Sequence, residues 1–310
     1  MRKLTIAIPV YNSENTISNL VDKLIEELTG FQLEIILVND CSKDNSKKVC
    51  VDLQEKYSEI VKFYSLAKNV GEHNAVMAAL NNSTGDYTII IDDDFQNPVS
   101  EVKKLAEYSF SNDFDVIYTF YDQKKHSFFR NLGSRFNDRI ANWLLRKPKS
   151  LYLSSFKSIS KFIVAEIIKY DLPYPYIDGL ILRTTSNIGK MKVEHSKRQL
   201  GKSQYTLVKL VGLWLSMVTN FSIKPLRFAT ILGFVFSIVG FLIAIAGILM
   251  KLLDPTVPMG YASLLVSVAI LGGIQLIAIG MVGEYIGRTF LSINKAPQFV
   301  IKERFEKKPE

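Results

Sequence analysis

A chain of 310 residues leaves room for one large domain or two modest ones. Its formal net charge of +8 favours polyanionic partners, and its two cysteines, Cys41 and Cys50, exclude a disulfide-stapled scaffold and point to a reducing compartment. Averages of 48% hydrophobic and 22% charged residues hide two long uncharged stretches toward the C-terminal end, which suit phosphorylated substrates and anionic lipid head groups better than nucleic acid.

The opening MRKLTIAIPVYN has too short an apolar run for a signal peptide and no small-residue cleavage site, so it reads as a first strand. Apolar, β-branched runs recur at 4–10, 33–38, 61–66, 87–91 and 116–119, with helix-like segments at 14–28, 44–57, 72–82 and 99–110 between them. Strands alternating with helices at this spacing predict a parallel sheet of βαβ units. In such sheets ligands bind beyond the carboxyl ends of the strands.

Residues 127–146 read as a basic helix carrying Arg130, Arg135, Arg139 and Arg146. The segment 151–185 is mixed, and DLPYPYIDG within it reads as an irregular loop that exposes Asp178. A further strand is expected at 191–195, followed by the polar SKRQLGKSQY. Leu207, Leu210, Val211, Trp214, Leu215 and Val218 then share one helical face, as in a helix lying on a membrane surface or one packed on a soluble core.

Residues 228–250 and 259–283 contain no charged residue, and each is long enough to cross about 30 Å of hydrocarbon. Two transmembrane helices are therefore expected. Lys224 and Arg227 precede the first, Arg288, Lys295, Lys302 and Arg304 follow the second, and the connecting turn has only Lys251. Basic flanks of this kind keep the large domain and the tail in the cytosol. Gly233, Gly240 and Gly247, with Gly273 and Gly280, recur every seven residues, either as a small-residue face that packs helices closely in a homo-oligomer or as the ordinary glycine enrichment of membrane helices.

The strongest chemical signal is IIIDDDFQNP, in which a β-branched run ends in Asp92, Asp93 and Asp94. Three adjacent carboxylates repel one another unless a cation sits among them, and hard oxygen ligands suit Mg²⁺ or Mn²⁺ bridging to a diphosphate. Tyr11, Asn12 and Glu14 follow the first strand, and Asp40 and Ser42 follow the second. An aromatic ring beside carboxylates and amides can hold a base, although Asn, Ser and Asp also cap helices. LAKNVGEHNA places Lys68 and Gly71 at the third strand end, either near phosphates or as a turn and cap. Arg130 and Ser134 stand one helical turn apart on one face.

PVYNSE, VNDCSKD, KNVGEHNA and DDDFQNP, in this order, resemble the inverting glycosyltransferase family 2. RQLGKSQY, SIKPLR, the two spans and GEYIGR narrow the resemblance to polyprenyl-phosphate glycosyltransferases, over nearly the whole chain. The resemblance implies an α/β GT-A catalytic domain with a Rossmann-like, mostly parallel sheet, followed by a two-helix transmembrane hairpin. The expected division is a cytosolic catalytic domain at 1–201, an amphipathic juxtamembrane segment at 202–226, two spans at 227–287 and a cytosolic tail at 288–310.

By the same resemblance Asp92 and Asp94 hold the metal, Mg²⁺ or Mn²⁺. Pro9, Tyr11, Glu14, Asp40, Asp92, Asp93 and Ser203 bind the nucleotide sugar, with UDP favoured as the nucleotide. Asp94, Arg130, Ser134, Arg198 and Lys202 act in transfer, the arginine and serine of the basic helix on the acceptor phosphate. The implied reaction moves a sugar to polyprenyl (undecaprenyl) phosphate at the cytosolic face of a bacterial inner membrane, for modification of the cell envelope, with no nucleic-acid partner. Many relatives carry an acidic residue before Phe-Arg as a base; here Ser155 stands there, in LSSFK, which puts a general base in doubt. A processive polysaccharide synthase is disfavoured by the lack of QxxRW and by only two spans, and an inactive membrane scaffold by the intact carboxylate trio.

Overall fold

Strands that are apolar on both faces must be covered on both faces, and the first 120 residues meet that need by alternating strand and helix. The computed structural model describes residues 2–121, 151–194, 224–253 and 260–307. Its strands are β1 (Lys3–Val10), β2 (Gln32–Asn39), β3 (Val61–Leu66), β4 (Tyr87–Ile90), β5 (Val116–Phe120), β6 (Lys157–Ser160), β7 (Ile188–Lys192) and β8 (Ile301–Phe305). The helices are α1 (Ile17–Glu27), α2 (Ser46–Lys56), α3 (Glu72–Asn81), α4 (Val99–Ser111), α5 (Lys161–Ile167), α6 (Ile177–Thr184), α7 (Lys224–Leu253) and α8 (Tyr261–Ile293). Two units result, Met1–Thr206 with Lys295–Glu310, and Leu207–Asn294.

In the first unit all eight strands form one sheet in the order β7-β5-β6-β4-β1-β2-β3-β8. β1 runs parallel to both β2 and β4, and β2 parallel to β3, as the βαβ rhythm predicts. Helix α1 buries Ile17, Leu20, Val21 and Leu24, the spacing of one helical face. It begins three residues later than the sequence suggests, because the Ser13 carbonyl takes the N–H groups of Thr16 and Ile17 in a preceding turn.

Two strands escape the sequence pattern. β6 lies antiparallel between β4 and β5, with Ile90 opposite Lys157. β8 lies antiparallel to β3 and covers that edge of the sheet, helped by Lys47–Glu303 at 2.7 Å and Tyr64–Glu306 at 2.5 Å. The strand expected at 191–195 instead spans Ile188–Lys192, where its register is fixed by parallel pairing with β5.

The second unit contains α7, of 30 residues, and α8, of 33 residues. Large apolar side chains stand exposed along both, among them Phe234, Phe241, Leu276 and Ile277. Among the described residues one segment, Ile270–Ile293, is long and apolar enough to cross a membrane, while Ala229–Ile243 is a shorter apolar stretch. Gly233, Gly240, Gly273 and Gly280 have nothing within 4 Å of where a Cβ would stand, so no close approach of backbones uses these glycines within one described chain. The amphipathic segment expected at 207–218 lies outside the described residues.

Candidate active site

The carboxyl ends of β1, β2, β3 and β4 are neighbours in the sheet, and each continues into one of the loops singled out in the sequence. After β1 the chain turns through Asn12 at a φ of 55°, and after β2 through Cys41 at the same φ. These two left-handed corners are laced together. Asn12 N–H donates to Ser42 Oγ at 3.0 Å, and Lys43 N–H donates to Asn12 Oδ1 at 2.8 Å. Glu14 accepts from Asn45 N–H at 2.8 Å, which ties the start of α1 to the start of α2. Pro9, opposite Val38 in the β1–β2 register, stands just before this paired rim.

Asp40 performs a similar task toward the third loop. Its carboxylate accepts from Val70 N–H at 2.7 Å and from Gly71 N–H at 2.9 Å. Gly71 reaches that geometry at a φ of 88°, in the region where a Cβ is strained. Burial pushes the Asp40 carboxyl above its usual range, and the two backbone donors only partly offset it.

The three adjacent aspartates have three different surroundings. Asp93 points back to the β1 loop and accepts from Tyr11 N–H at 3.2 Å and from the Ser13 hydroxyl. Its carboxyl is pushed up to about 6, first by burial, with the bonds from Ser13 and Tyr11 opposing. Asp94 accepts from Gln96 N–H at 3.1 Å in a turn held by Phe95 at a φ of 59°, an uncommon conformation for a bulky residue and a mark of a functional loop. Asp92 accepts from the Ser155 hydroxyl at 2.7 Å. Burial, with the negative charge of Glu72 added, pushes Asp92 up to about 7, against the Ser155 bond and the charge of Lys157.

Behind Asp92 lies a buried polar layer. Lys157 pairs with Asp178, the Tyr118 hydroxyl donates to Asp178 Oδ1 at 2.8 Å, and Lys157 sits 5.1 Å from the Tyr118 ring centre. His73, on α3, meets Tyr176 edge-on with ring centres 5.3 Å apart. Burial depresses the His73 pKa, so this imidazole is neutral near pH 7. Asp178, expected on an exposed loop, is 7% exposed in the first turn of α6, because Lys157 on β6 draws it inward.

A divalent cation fits the donor set. Among the described residues no three His, Cys, Asp or Glu side chains converge to hold a metal ion, so Asp92 and Asp94 offer at most two carboxylates. Mg²⁺-type sites commonly use one or two carboxylates and complete their shell with water and substrate phosphates. Burial is the largest cause of the upward shift at Asp92, and the charges of Glu72 and Asp94 add to it, so positive charge here would favour its ionised form.

The structure thus gathers Pro9, Tyr11, Glu14, Asp40, Asp92, Asp93 and Asp94 at one rim of the sheet. Arg130, Ser134, Arg198, Lys202 and Ser203 lie outside the described residues. Glu72, His73, Lys157 and Tyr118 were not singled out in the sequence. Glu72 could have been, since a carboxylate at the first turn of a helix that follows a strand end is placed to face the ligand.

The model of Glycosyl transferase family 2 matches residues 5–167. An undecaprenyl-phosphate 4-deoxy-4-formamido-L-arabinose transferase of Edwardsiella ictaluri (strain 93-146) is 31% identical, over 96% of this chain and 93% of its own. The protein of the same name from Enterobacter sp. (strain 638) is 27% identical, over 97% and 93%. Among solved structures, glucosyl-3-phosphoglycerate synthase from Mycobacterium tuberculosis, in complex with Mn²⁺, uridine diphosphate and glucosyl-3-phosphoglycerate, superposes with a TM-score of 0.53. That likeness covers 70% of this chain and 78% of the other at 17% identity, and it speaks for the fold.

Proposed function

The chain belongs to glycosyltransferase family 2, and from that premise we propose that it transfers a sugar from a nucleotide-sugar donor to undecaprenyl phosphate at a membrane. The observation that carries this reading is the placement of Asp92 and Asp94 at the carboxyl end of β4, among the rims of β1, β2 and β3. The names of the curated relatives supply the acceptor, undecaprenyl phosphate, and a 4-deoxy-4-formamido-L-arabinose donor is the first to test.

In this reading a phosphate oxygen of the lipid attacks the anomeric carbon, the bond to the nucleotide diphosphate breaks, and the configuration inverts. A phosphate monoester is already anionic near neutral pH, so the nucleophile needs placement and screening more than a base. Asp178 supports that view, because its carboxylate is committed to Lys157 and Tyr118. Tyr11, Glu14, Asp40, Asp93 and Ser203 line the nucleotide side. Arg130, Ser134, Arg198 and Lys202 guide the acceptor phosphate. A divalent metal held by Asp92 and Asp94, Mg²⁺ or Mn²⁺, would neutralise the departing diphosphate. Structural neighbours solved with Mn²⁺ and uridine nucleotides support a divalent metal and a UDP donor.

The proposed organisation keeps a cytosolic catalytic domain at 1–201, a juxtamembrane segment at 202–226, two spans at 227–287 and a cytosolic tail at 288–310 of an inner-membrane protein. The test is lipid extraction after incubating purified protein with undecaprenyl phosphate and labelled nucleotide sugars. A single labelled sugar in the lipid phase is expected. A growing polymer, or nothing with any donor, overturns the reading.

A further inference from the structure

Resting on that reading, we propose that Ser155 is a positioning residue whose hydroxyl holds the Asp92 carboxylate in the orientation in which it ligates the divalent cation. The Ser155 hydroxyl donates to Asp92 Oδ2 at 2.7 Å, which restrains the carboxylate through one of its two oxygens. An ionised carboxylate offers about four lone-pair sites, so one bond from a neutral donor restrains it without consuming it. A serine hydroxyl is by itself too weakly basic to take a proton near neutral pH, so what Ser155 brings to Asp92 is its donor proton.

The donor is itself held still. Phe156 is fully buried in the core, and its carbonyl accepts from Thr119 Oγ1 at 2.7 Å. Thr119 Oγ1 also reaches Ser154 Oγ at 3.2 Å, and Ser154 Oγ takes Phe156 N–H at 3.2 Å. One residue on, Lys157 stands opposite Ile90, two residues before Asp92 on the neighbouring strand. Ser155 therefore sits between two pinned residues, two positions before the strand whose pairing with β4 brings it beside Asp92.

The choice of a neutral donor has a consequence for charge. Lys157, the nearby cation, is already neutralised by Asp178. A hydroxyl therefore orients Asp92 without cancelling the negative charge that a cation needs, whereas a second ammonium here would compete with the metal for it.

The test uses the full-length, detergent-purified chain and Mn²⁺ as the probe, followed by electron paramagnetic resonance with and without UDP. Ser155→Ala should weaken Mn²⁺ binding by roughly tenfold or more, the usual cost of removing an outer partner of a metal ligand. Ser155→Thr, which keeps the hydroxyl, should retain binding. The unfolding midpoint in excess chelator should match wild type for both variants, since a purely structural role would lower it. Wild-type affinity in Ser155→Ala overturns the proposal, as does a midpoint drop that accounts for the loss, or equal weakening in Ser155→Thr. If wild type itself binds no Mn²⁺ while Asp92→Asn behaves identically, it is the metal reading that fails, and this role with it.

Discussion

Lys157 on β6 and Asp178 on α6 form an ion pair whose side chains are 5% and 10% exposed, with the Tyr118 hydroxyl as the third member of the group. Removing one partner of a buried pair strands the other charge in a poorly solvated site. Asp178→Asn should therefore cost about 3–5 kcal/mol of stability. The double variant Lys157→Met with Asp178→Leu should recover most of it, because neither charge is left behind. Urea unfolding of the detergent-purified protein measures both. If Asp178 were instead a base, Asp178→Asn would remove a carboxylate step from the rate–pH profile at unchanged stability.

The proposed reading gives Asp93 and Asp94, neighbours in sequence, different tasks, and paired variants should separate them. Asp94→Asn should lower turnover by at least about 100-fold at limiting metal, since one carboxylate fewer faces the cation. Asp93→Ala should act on the rim instead. It orphans the Tyr11 N–H and leaves Ser13 Oγ with the Tyr11 carbonyl alone, should cost about 1–3 kcal/mol of stability, and should raise the donor KM more than it lowers kcat. Steady-state kinetics against metal and donor concentration, together with thermal unfolding, distinguish the two patterns.

The first five strands and the acidic strand ends were legible because each leaves a local mark, a β-branched run followed by polar residues. β6 leaves none. Its sequence, KSIS, buries Lys157 and Ser158, and these polar residues are tolerable inside only because Asp178 and Ser109 are waiting for them. β8, IKERF, alternates like the charged edge strand it is, and in isolation such a pattern reads as a solvated tail. The bond from Ser155 to Asp92 spans 63 residues and depends on the β4–β6 register, which no local pattern encodes.

Glu34, on β2, gives a pH signature independent of the active site. It is 5% exposed, pairs with Lys62 at 2.7 Å, and accepts from Thr5 Oγ1 at 2.6 Å, Thr84 N–H at 2.9 Å and Thr84 Oγ1 at 2.7 Å. Burial alone would raise its pKa, but the Lys62 bond and the threonine donors outweigh burial and hold it below the usual range. A carboxyl depressed on folding lends stability above its unfolded pKa, about 4.3, and loses it as pH falls through the lower folded value. Glu34→Gln should thus be less stable than wild type at pH 7, by about 1–3 kcal/mol, with the gap closing below about pH 4. A gap that stays constant across that range would mean that the Glu34 charge contributes nothing.

Strand pairing also constrains the membrane topology. β8 follows α8 in the chain and is bonded to β3, so the residues after the long helices lie in the same compartment as the sheet. A chain that leaves a compartment and returns to it crosses the membrane an even number of times. Ile270–Ile293 meets the length and hydropathy of a span by itself, but a single crossing would part β8 from β3. The proposed two-span organisation assigns the second crossing to α7, whose 30 residues include the apolar stretch Ala229–Ile243. The turn between the helices should then face away from the cytosol. In a background without Cys41 and Cys50, an impermeant thiol reagent applied to intact cells should label Thr256→Cys and spare Lys302→Cys. Lys302 is exposed on β8, so it should become reactive once the cells are opened. Labelling of both positions only after lysis would instead mean no crossing, with α7 and α8 lying on the inner surface. Labelling of Lys302→Cys in intact cells would place the sheet outside, away from cytosolic nucleotide sugars, and would overturn the transferase reading along with the topology.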